Sequence, residues 1–240
     1  MSALFISDLH LTEERPAANE RFMEFLEREA RAAQALYILG DFFEYWIGDD
    51  DLEEPFNAVM AGMLRSLVRH GVPVHVMHGN RDFLIGERFC AAAGAALLPD
   101  PSVIEAGGEK TLLMHGDTLC TDDLEYQAWR ATARSARWQD EFLARPRAER
   151  RSMILGLREK SKEVTQAKPA EIMDVNEQAV AGALQAHGVR RLVHGHTHRP
   201  GRHTLALPGG TAAERWVLPD WYGPGGYLEI GTGAPRLVRF

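Results

Sequence analysis

The feature that most constrains the fold is a strand ending that recurs along the chain. Five β-rich runs are apolar or alternating and then break into side chains able to bind metal: "ALFISDLH" (3–10), "ALYILGDFFE" (35–44), "VPVHVMHGNRDF" (72–83), "KTLLMHGD" (110–117) and "VRRLVHGHTH" (189–198). Helical runs separate several of them. Residues 18–33 put Phe22, Phe25, Leu26 and Ala30 on one face, residues 55–71 repeat the pattern and stop at Gly71, and residues 174–188 stop at Gly188. Strand and helix alternating in this way predict an α/β layered fold. Ligands in such folds gather beyond the carboxyl ends of the strands, so the five endings are expected to converge on one site.

Residues 123–168 interrupt the alternation. They hold 11 Lys+Arg against 7 Asp+Glu, leaving 16 against 27 elsewhere. The stretch has helical periodicity, with Arg130, Arg134 and Arg137 predicted on one side. A helical insertion capping the site, at about 123–168 within one domain spanning 1–240, is the expected arrangement.

The endings supply Asp8, His10, Asp41, Asn80, His115, His196 and His198. This oxygen and nitrogen set, without sulfur, suits Mn, Fe, Zn or Co. Seven ligands are too many for one catalytic ion that keeps a position open, but they fit two ions about 3.5–4 Å apart. Asp41 is the natural bridge, with one oxygen for each ion. In "VHGHTHRP" (193–200) three histidines alternate, and His194 is expected to be structural.

Composition narrows the rest. At 240 residues, with 45% apolar and 25% charged, the chain fits an ordinary globular domain. A net charge of -7 disfavours a nuclease or other polyanion binder. Cys90 and Cys120 are too few for a disulfide framework and lack CxxC spacing, which predicts a reducing compartment. The start "MSALFISDLH" reads as neither a signal nor a targeting peptide, and no apolar run approaches the ~18 residues of a membrane span.

The ordered series Asp-x-His, Gly-Asp, Gly-Asn, His-Gly and Gly-His-x-His resembles the signature of the calcineurin-like metallophosphoesterases over residues 8–198, with "GGYLEIG" (225–231) similar to a late core strand. The resemblance implies a β-sandwich flanked by helices, with a dinuclear site at one edge. It assigns Asp8, His10, Asp41 and His198 to one ion, and Asp41, Asn80, His115 and His196 to the other.

Two departures bear on the substrate. Many members carry a second Asp after Gly-Asp and two intervening residues, where this chain has Glu44. Phosphatases of the class commonly follow Gly-Asn with a His resembling a general acid, and this chain has Arg81. An alkoxide leaving group needs protonation, whereas a phosphate monoester, with second pKa about 6, leaves without it. An arginine would instead clamp a diphosphate. "GDFFEYWIGDDD", "GNRDFLIG", "HGDTLCTDD" and "GHTHRP", with "EKSKEVTQAKPAEIMDVN" (159–176), closely resemble one branch of the family. That branch splits UDP-2,3-diacylglucosamine to UMP and 2,3-diacylglucosamine 1-phosphate in lipid A biosynthesis. The resemblance implies attack of water on the α-phosphorus, two Mn2+ ions, and a peripheral position on the cytoplasmic face of the inner membrane; the sequence itself offers no ground to infer an obligate protein partner.

The branch's catalytic and substrate contacts fall on Asp41, Asn80, Arg81, Asp123, Ser161, Thr165, Lys168 and His196. Ser161, Thr165 and Lys168 also stand at i, i+4 and i+7, one face of a helix that Pro169 should end. Trp129, Trp138, Phe142, Met153, Ile154 and Leu157 are candidates either for an acyl groove or for packing inside the insertion. The basic stripe is a candidate contact for an anionic leaflet. The alternatives are another nucleotide diphosphate or a cyclic nucleotide as substrate, and a non-catalytic scaffold, which would lack ligands that this chain retains.

Overall fold

Alternate residues of the central strands belong to different cores, and this fixes the layering. The computed structural model describes residues 2–168 and 170–240, apart from the side chains at 162, 163, 165–167, 170 and 171. Strands β1 (Ala3–Ile6), β2 (Ala35–Leu39), β3 (Val74–Met77) and β4 (Ala96–Leu98) pair in parallel. β10 (Gly226–Ile230) and β11 (Arg236–Arg239) add antiparallel to the β1 edge, giving the order β11-β10-β1-β2-β3-β4. The second sheet has the order β5-β6-β7-β9-β8, from Ser102–Ala106, Glu109–Leu113, Arg191–His194, Ala212–Val217 and Gly201–Ala206.

Leu4, Ile6, Leu36, Ile38, Val74 and Val76 pack with Phe22, Phe25, Leu64 and Phe89 of helices α1 (Pro16–Arg28), α2 (Pro55–Arg69) and α3 (Glu87–Ala93). Their neighbours Phe5, Leu39 and Met77 pack instead against Leu113, Val193 and Trp216 of the second sheet. Leu112 and Leu192 turn to the opposite side, onto Val180 and Leu184 of a helix at Glu177–Ala186. A strand buried on both faces reads as a continuous apolar run, which is why these segments stand out in sequence. The result is a β-sandwich flanked by helices.

The helices differ from their sequence expectations at the ends. The first begins at Pro16, whose fixed φ suits a first turn, and gives way to a 3-10 turn at Ala30–Ala32. The second ends at Arg69, before Gly71 at φ +91°. The run at 174–188 becomes helical only from Glu177, because the Asn176 side chain accepts the amides of Gln178 and Ala179.

Between β6 and β7, which pair in parallel, the chain leaves the sheet. It forms α4 (Leu124–Ala133), α5 (Ala136–Leu143) and α6 (Arg147–Ala167), and the Glu177–Ala186 helix, α7, follows. The arginine stripe expected across 130–137 is not one stripe. Ser135 caps α5 by accepting the Trp138 amide, and this breaks the helix. Arg130 pairs with Asp117 at 2.7 Å, Arg134 donates to the Gly79 carbonyl at 2.9 Å, and Arg137 pairs with Glu141 on the surface.

The basic excess has a partner inside the molecule, the acidic run "DDDLEE" (49–54). Arg147 reaches Glu53 and Glu54, Arg150 reaches Asp50 and the Ile47 carbonyl, and Arg151 reaches Asp51 and Glu54. Phe142 is buried in the main core, and Trp138, Met153 and Ile154 pack against it, so the cap helices are seated on the domain.

Candidate metal centre and active site

The loops after β1, β2, β3, β6 and β7 bring the seven predicted ligands together. Donor atoms of Asp8, His10 and His198 lie within 4.8 Å of one another, as do those of Asp8, Asp41 and His115. His10 Nε2 and His198 Nε2 face each other at 3.5 Å, and His198 Nε2 is 3.4 Å from Asp8 Oδ1. On the other side, His115 Nε2 and His196 Nδ1 converge on Asn80 Oδ1 at 3.0 and 2.9 Å. Asp41 stands between the two groups, with Oδ2 3.7 Å from His10 and Oδ1 3.8 Å from His115.

The backbone is bent to this purpose. The non-glycine residues with positive φ among those described are Asp8, His10, Asp41, His196 and His198, at 50° to 66°. Asp and His tolerate this region better than most residues, but it still costs of order 1–3 kcal/mol each. The glycines of the motifs make room. A Cβ on Gly79 would collide with Asp41 Oδ1 and its amide, and one on Gly195 with Asp8 Oδ2 and Ser7 Oγ.

The donor set fits divalent cations. His115 directs Nδ1 to the Leu39 carbonyl at 2.9 Å, which fixes the tautomer and leaves Nε2 as a ligand. Without a cation the charges conflict. Burial would lower His115, yet Asp41, Asp117 and Asp8 raise it to about 9. Burial raises the Asp41 carboxyl, and burial with the charge of His115 lowers His196 to about 4. His194 stands apart, fully buried, with Nδ1 toward the Gly195 carbonyl at 2.8 Å and Nε2 toward Arg215 at 3.3 Å.

A cavity of about 330 Å³ opens beside the centre. Asn80, Arg81, Asp123, Ser161 and Lys168 line it, with Trp129, Ile154 and Leu157 on the apolar wall. Lys168 Nζ already pairs with Asp123 at 2.7 Å. The Thr165 side chain lies outside the described residues. The apolar candidates therefore divide: Trp129 and Leu157 line the cavity, Ile154 both lines it and packs against the main core, Phe142 fills that core, and Trp138 and Met153 pack against it.

Several residues that shape the site had no role in the sequence reading. Asp82, fully buried, accepts the amides of Asp41, Phe42, Phe43 and Gly79, tying the second and third loops together. Asp117 accepts Tyr126 Oη at 2.8 Å as well as Arg130. Tyr222 stacks on His10 with ring centroids 4.8 Å apart, and the Arg15 guanidinium lies over the Tyr222 ring at 4.3 Å. The Asp endings of "GNRD" and "HGD" were the available signal for the first two; Tyr222 had none.

This fold with this site defines a class, and a calcineurin-like phosphoesterase family model matches residues 1–200. The chain belongs to that family of hydrolases. Its relatives are more particular. It is 50% identical over 241 residues to a UDP-2,3-diacylglucosamine hydrolase of Aromatoleum aromaticum, covering 100% of this chain and 98% of that one. It is 47% identical over 240 residues to the protein of the same name from Escherichia coli O7:K1, covering 100% and 99%. Among solved structures, an archaeal phosphodiesterase aligns over 100% of both chains at 11% identity with a TM-score of 0.48.

Proposed function

We propose that this chain hydrolyses the diphosphate of UDP-2,3-diacylglucosamine to UMP and 2,3-diacylglucosamine 1-phosphate, in lipid A biosynthesis. The observation that carries the reading is one cavity lined both by Asn80 and Arg81 and by the apolar side chains of Trp129, Ile154 and Leu157. A polar head beside the metal centre and an apolar wall match a substrate that joins a diphosphate to acyl chains. The names of relatives near half identity support the same substrate.

Asp8, His10, Asp41 and His198 would hold one cation, and Asp41, Asn80, His115 and His196 the other, both most consistent with Mn2+. Bound there, two cations would supply a nucleophilic water at neutral pH and neutralise charge on the phosphoryl oxygens. Arg81 lines the cavity beside Asn80, and its buried Nε has no partner among the described residues. Its guanidinium would take two oxygens of a diphosphate. A phosphate leaving group with second pKa about 6 departs without a protonated acid, so Arg81 in place of a histidine costs nothing in departure. Asp123, Ser161 and Lys168 would bind the sugar or phosphate, with Thr165 on the same helix.

The acyl chains imply a substrate drawn from the cytoplasmic face of the inner membrane, which the protein would visit peripherally. No helix among the described residues is long and apolar enough to cross a membrane. Arg130, Arg134 and Arg137, the candidate contacts for an anionic leaflet, are engaged within the protein.

The test is turnover of UDP-2,3-diacylglucosamine by chelated and Mn2+-restored enzyme, with products identified. UMP should form in the restored sample alone; its absence there would refute the substrate assignment. Arg81→Ala should lose more rate on this diphosphate than on p-nitrophenyl phosphate, and equal losses would remove the diphosphate role.

A further inference from the structure

Glu44 stands where three parts of the molecule meet. It is 7% exposed. The amides of His10 and Leu11 donate to Asp41 and Phe42 at 3.0 and 2.9 Å, and the Glu44 amide returns to the Leu11 carbonyl at 3.1 Å. This backbone pairing sets its carboxylate beside His10, with Oε2 3.3 Å from Nδ1. No hydrogen bond satisfies that nitrogen elsewhere among the described residues. The same oxygen accepts Tyr222 Oη at 3.0 Å. The other oxygen takes an ion pair from Arg158 of α6.

For His10 to present Nε2 to a cation, its proton must sit on Nδ1, and a buried N–H in that position needs an acceptor. Glu44 is the carboxylate within reach. Its orientation is set from the far side by a cap residue that also lines the cavity. We propose that Glu44 is a positioning residue that fixes His10 for cation binding and, through Arg158, ties the affinity of that cation to the seating of the cap. The inference rests on the two-ion reading given above. It makes the cap more than a wall for acyl chains: a shift of α6 would be felt at His10, while the Asn80, His115 and His196 group has its own anchor at the Leu39 carbonyl.

The test is Mn2+ titration of the substrate-free enzyme, reading free Mn2+ by electron paramagnetic resonance. The chains compared are the wild type, Glu44→Gln, Glu44→Asp, Arg158→Ala, the double variant Glu44→Gln/Arg158→Ala, and Arg137→Ala as a control that removes an exposed pair within α5 and leaves the seating of the cap intact. The wild type should bind two ions. Glu44→Gln should weaken one of them about 10–100-fold and leave the other unchanged, with metal-free melting close to wild type. Glu44→Asp should recover most of the loss. Arg158→Ala should weaken the same ion by a smaller factor, the double variant should resemble Glu44→Gln, and Arg137→Ala should change neither ion. Two ions held by Glu44→Gln as tightly as by wild type would overturn the role of Glu44 while leaving the two-ion reading standing. An unchanged ion in Arg158→Ala, or losses that simply multiply in the double variant, would overturn the link to the cap. Fewer than two ions in the wild type would overturn the two-ion reading and this inference with it.

Discussion

Replacing Arg150 by Ala should unseat the cap. Arg150 is 3% exposed and holds three acceptors: the Ile47 carbonyl, the Asp50 carboxylate and, at 3.1 Å through Nε, the Arg145 carbonyl. A bond from a charged donor to a buried carbonyl contributes about 1.5–3 kcal/mol, which applies to Ile47, whereas the part-buried Arg145 carbonyl rehydrates on release and adds about 0.5 kcal/mol. The Asp50 arm contributes less, about 1 kcal/mol, because that side chain is 36% exposed and rehydrates once released. The buried aliphatic stem adds about 2 kcal/mol of packing, and freeing a long side chain returns a similar amount as rotamer entropy. The net loss is about 3–4 kcal/mol. At about 2–4 °C per kcal/mol for a domain of this size, melting should fall by roughly 10 °C. The control is Arg137→Ala, which removes an exposed i,i+4 pair with Glu141 and should stay within about 0.5 kcal/mol of wild type. Calorimetry of the two variants decides the matter. If Arg150→Ala melts within 2 °C of Arg137→Ala, the docking of α6 on the acidic segment is not what holds the cap.

Three further outcomes follow from the same geometry. Gly79→Ala forces a Cβ into Asp41 Oδ1, so the variant should retain its circular dichroism spectrum yet lose Mn2+ binding and at least about 100-fold in rate, the scale expected for a misplaced catalytic group. Leu157→Asp puts a charge on the apolar wall of the cavity; KM for the diacylated substrate should rise at least about 10-fold, consistent with about 1.5–3 kcal/mol for a buried leucine, while a short-chain analogue read in the same assay changes little. The hydrogen bond from Arg150 lowers the Asp50 carboxyl, so this pair stabilises the fold fully above the unfolded carboxyl pKa of about 3.9 and less as pH falls through the lower folded value. Urea unfolding of wild type and Asp50→Asn should therefore differ most at pH 6 and converge toward pH 2.5; a gap that widens with acid would contradict the sign.

The site was more legible than its supports. Each ligand follows a strand buried on both faces, and such strands advertise themselves as apolar runs closed by Gly, Asp, Asn or His. What periodicity does not carry is the partner across space. Arg130, Arg134 and Arg137 share a helical face on paper, but Ser135 captures the Trp138 amide and the chain turns, sending each arginine to a different acceptor. The run "DDDLEE" and the arginines of α6 are about 100 residues apart in sequence, so nothing local couples them. Asp82 was visible as a residue but not as a fourfold amide acceptor, because its role depends on loops from two strands closing around it. Trp129 and Trp138 look alike in sequence; only the break between α4 and α5 sends one to the cavity and the other to the core.

The five left-handed residues at the centre set stability and catalysis against each other. At about 1–3 kcal/mol each, their combined conformational cost rivals the whole net stability of a typical domain, about 5–15 kcal/mol. A search for more heat-resistant variants of the metal-free protein would be rewarded for placing glycine at positions 8, 10, 41, 196 or 198, and each such gain would delete a donor. Cation binding repays the same cost by mass action, so selection carried out with metal in excess would find those substitutions harmful. The concentration of free metal during selection therefore decides whether this site is kept or erased.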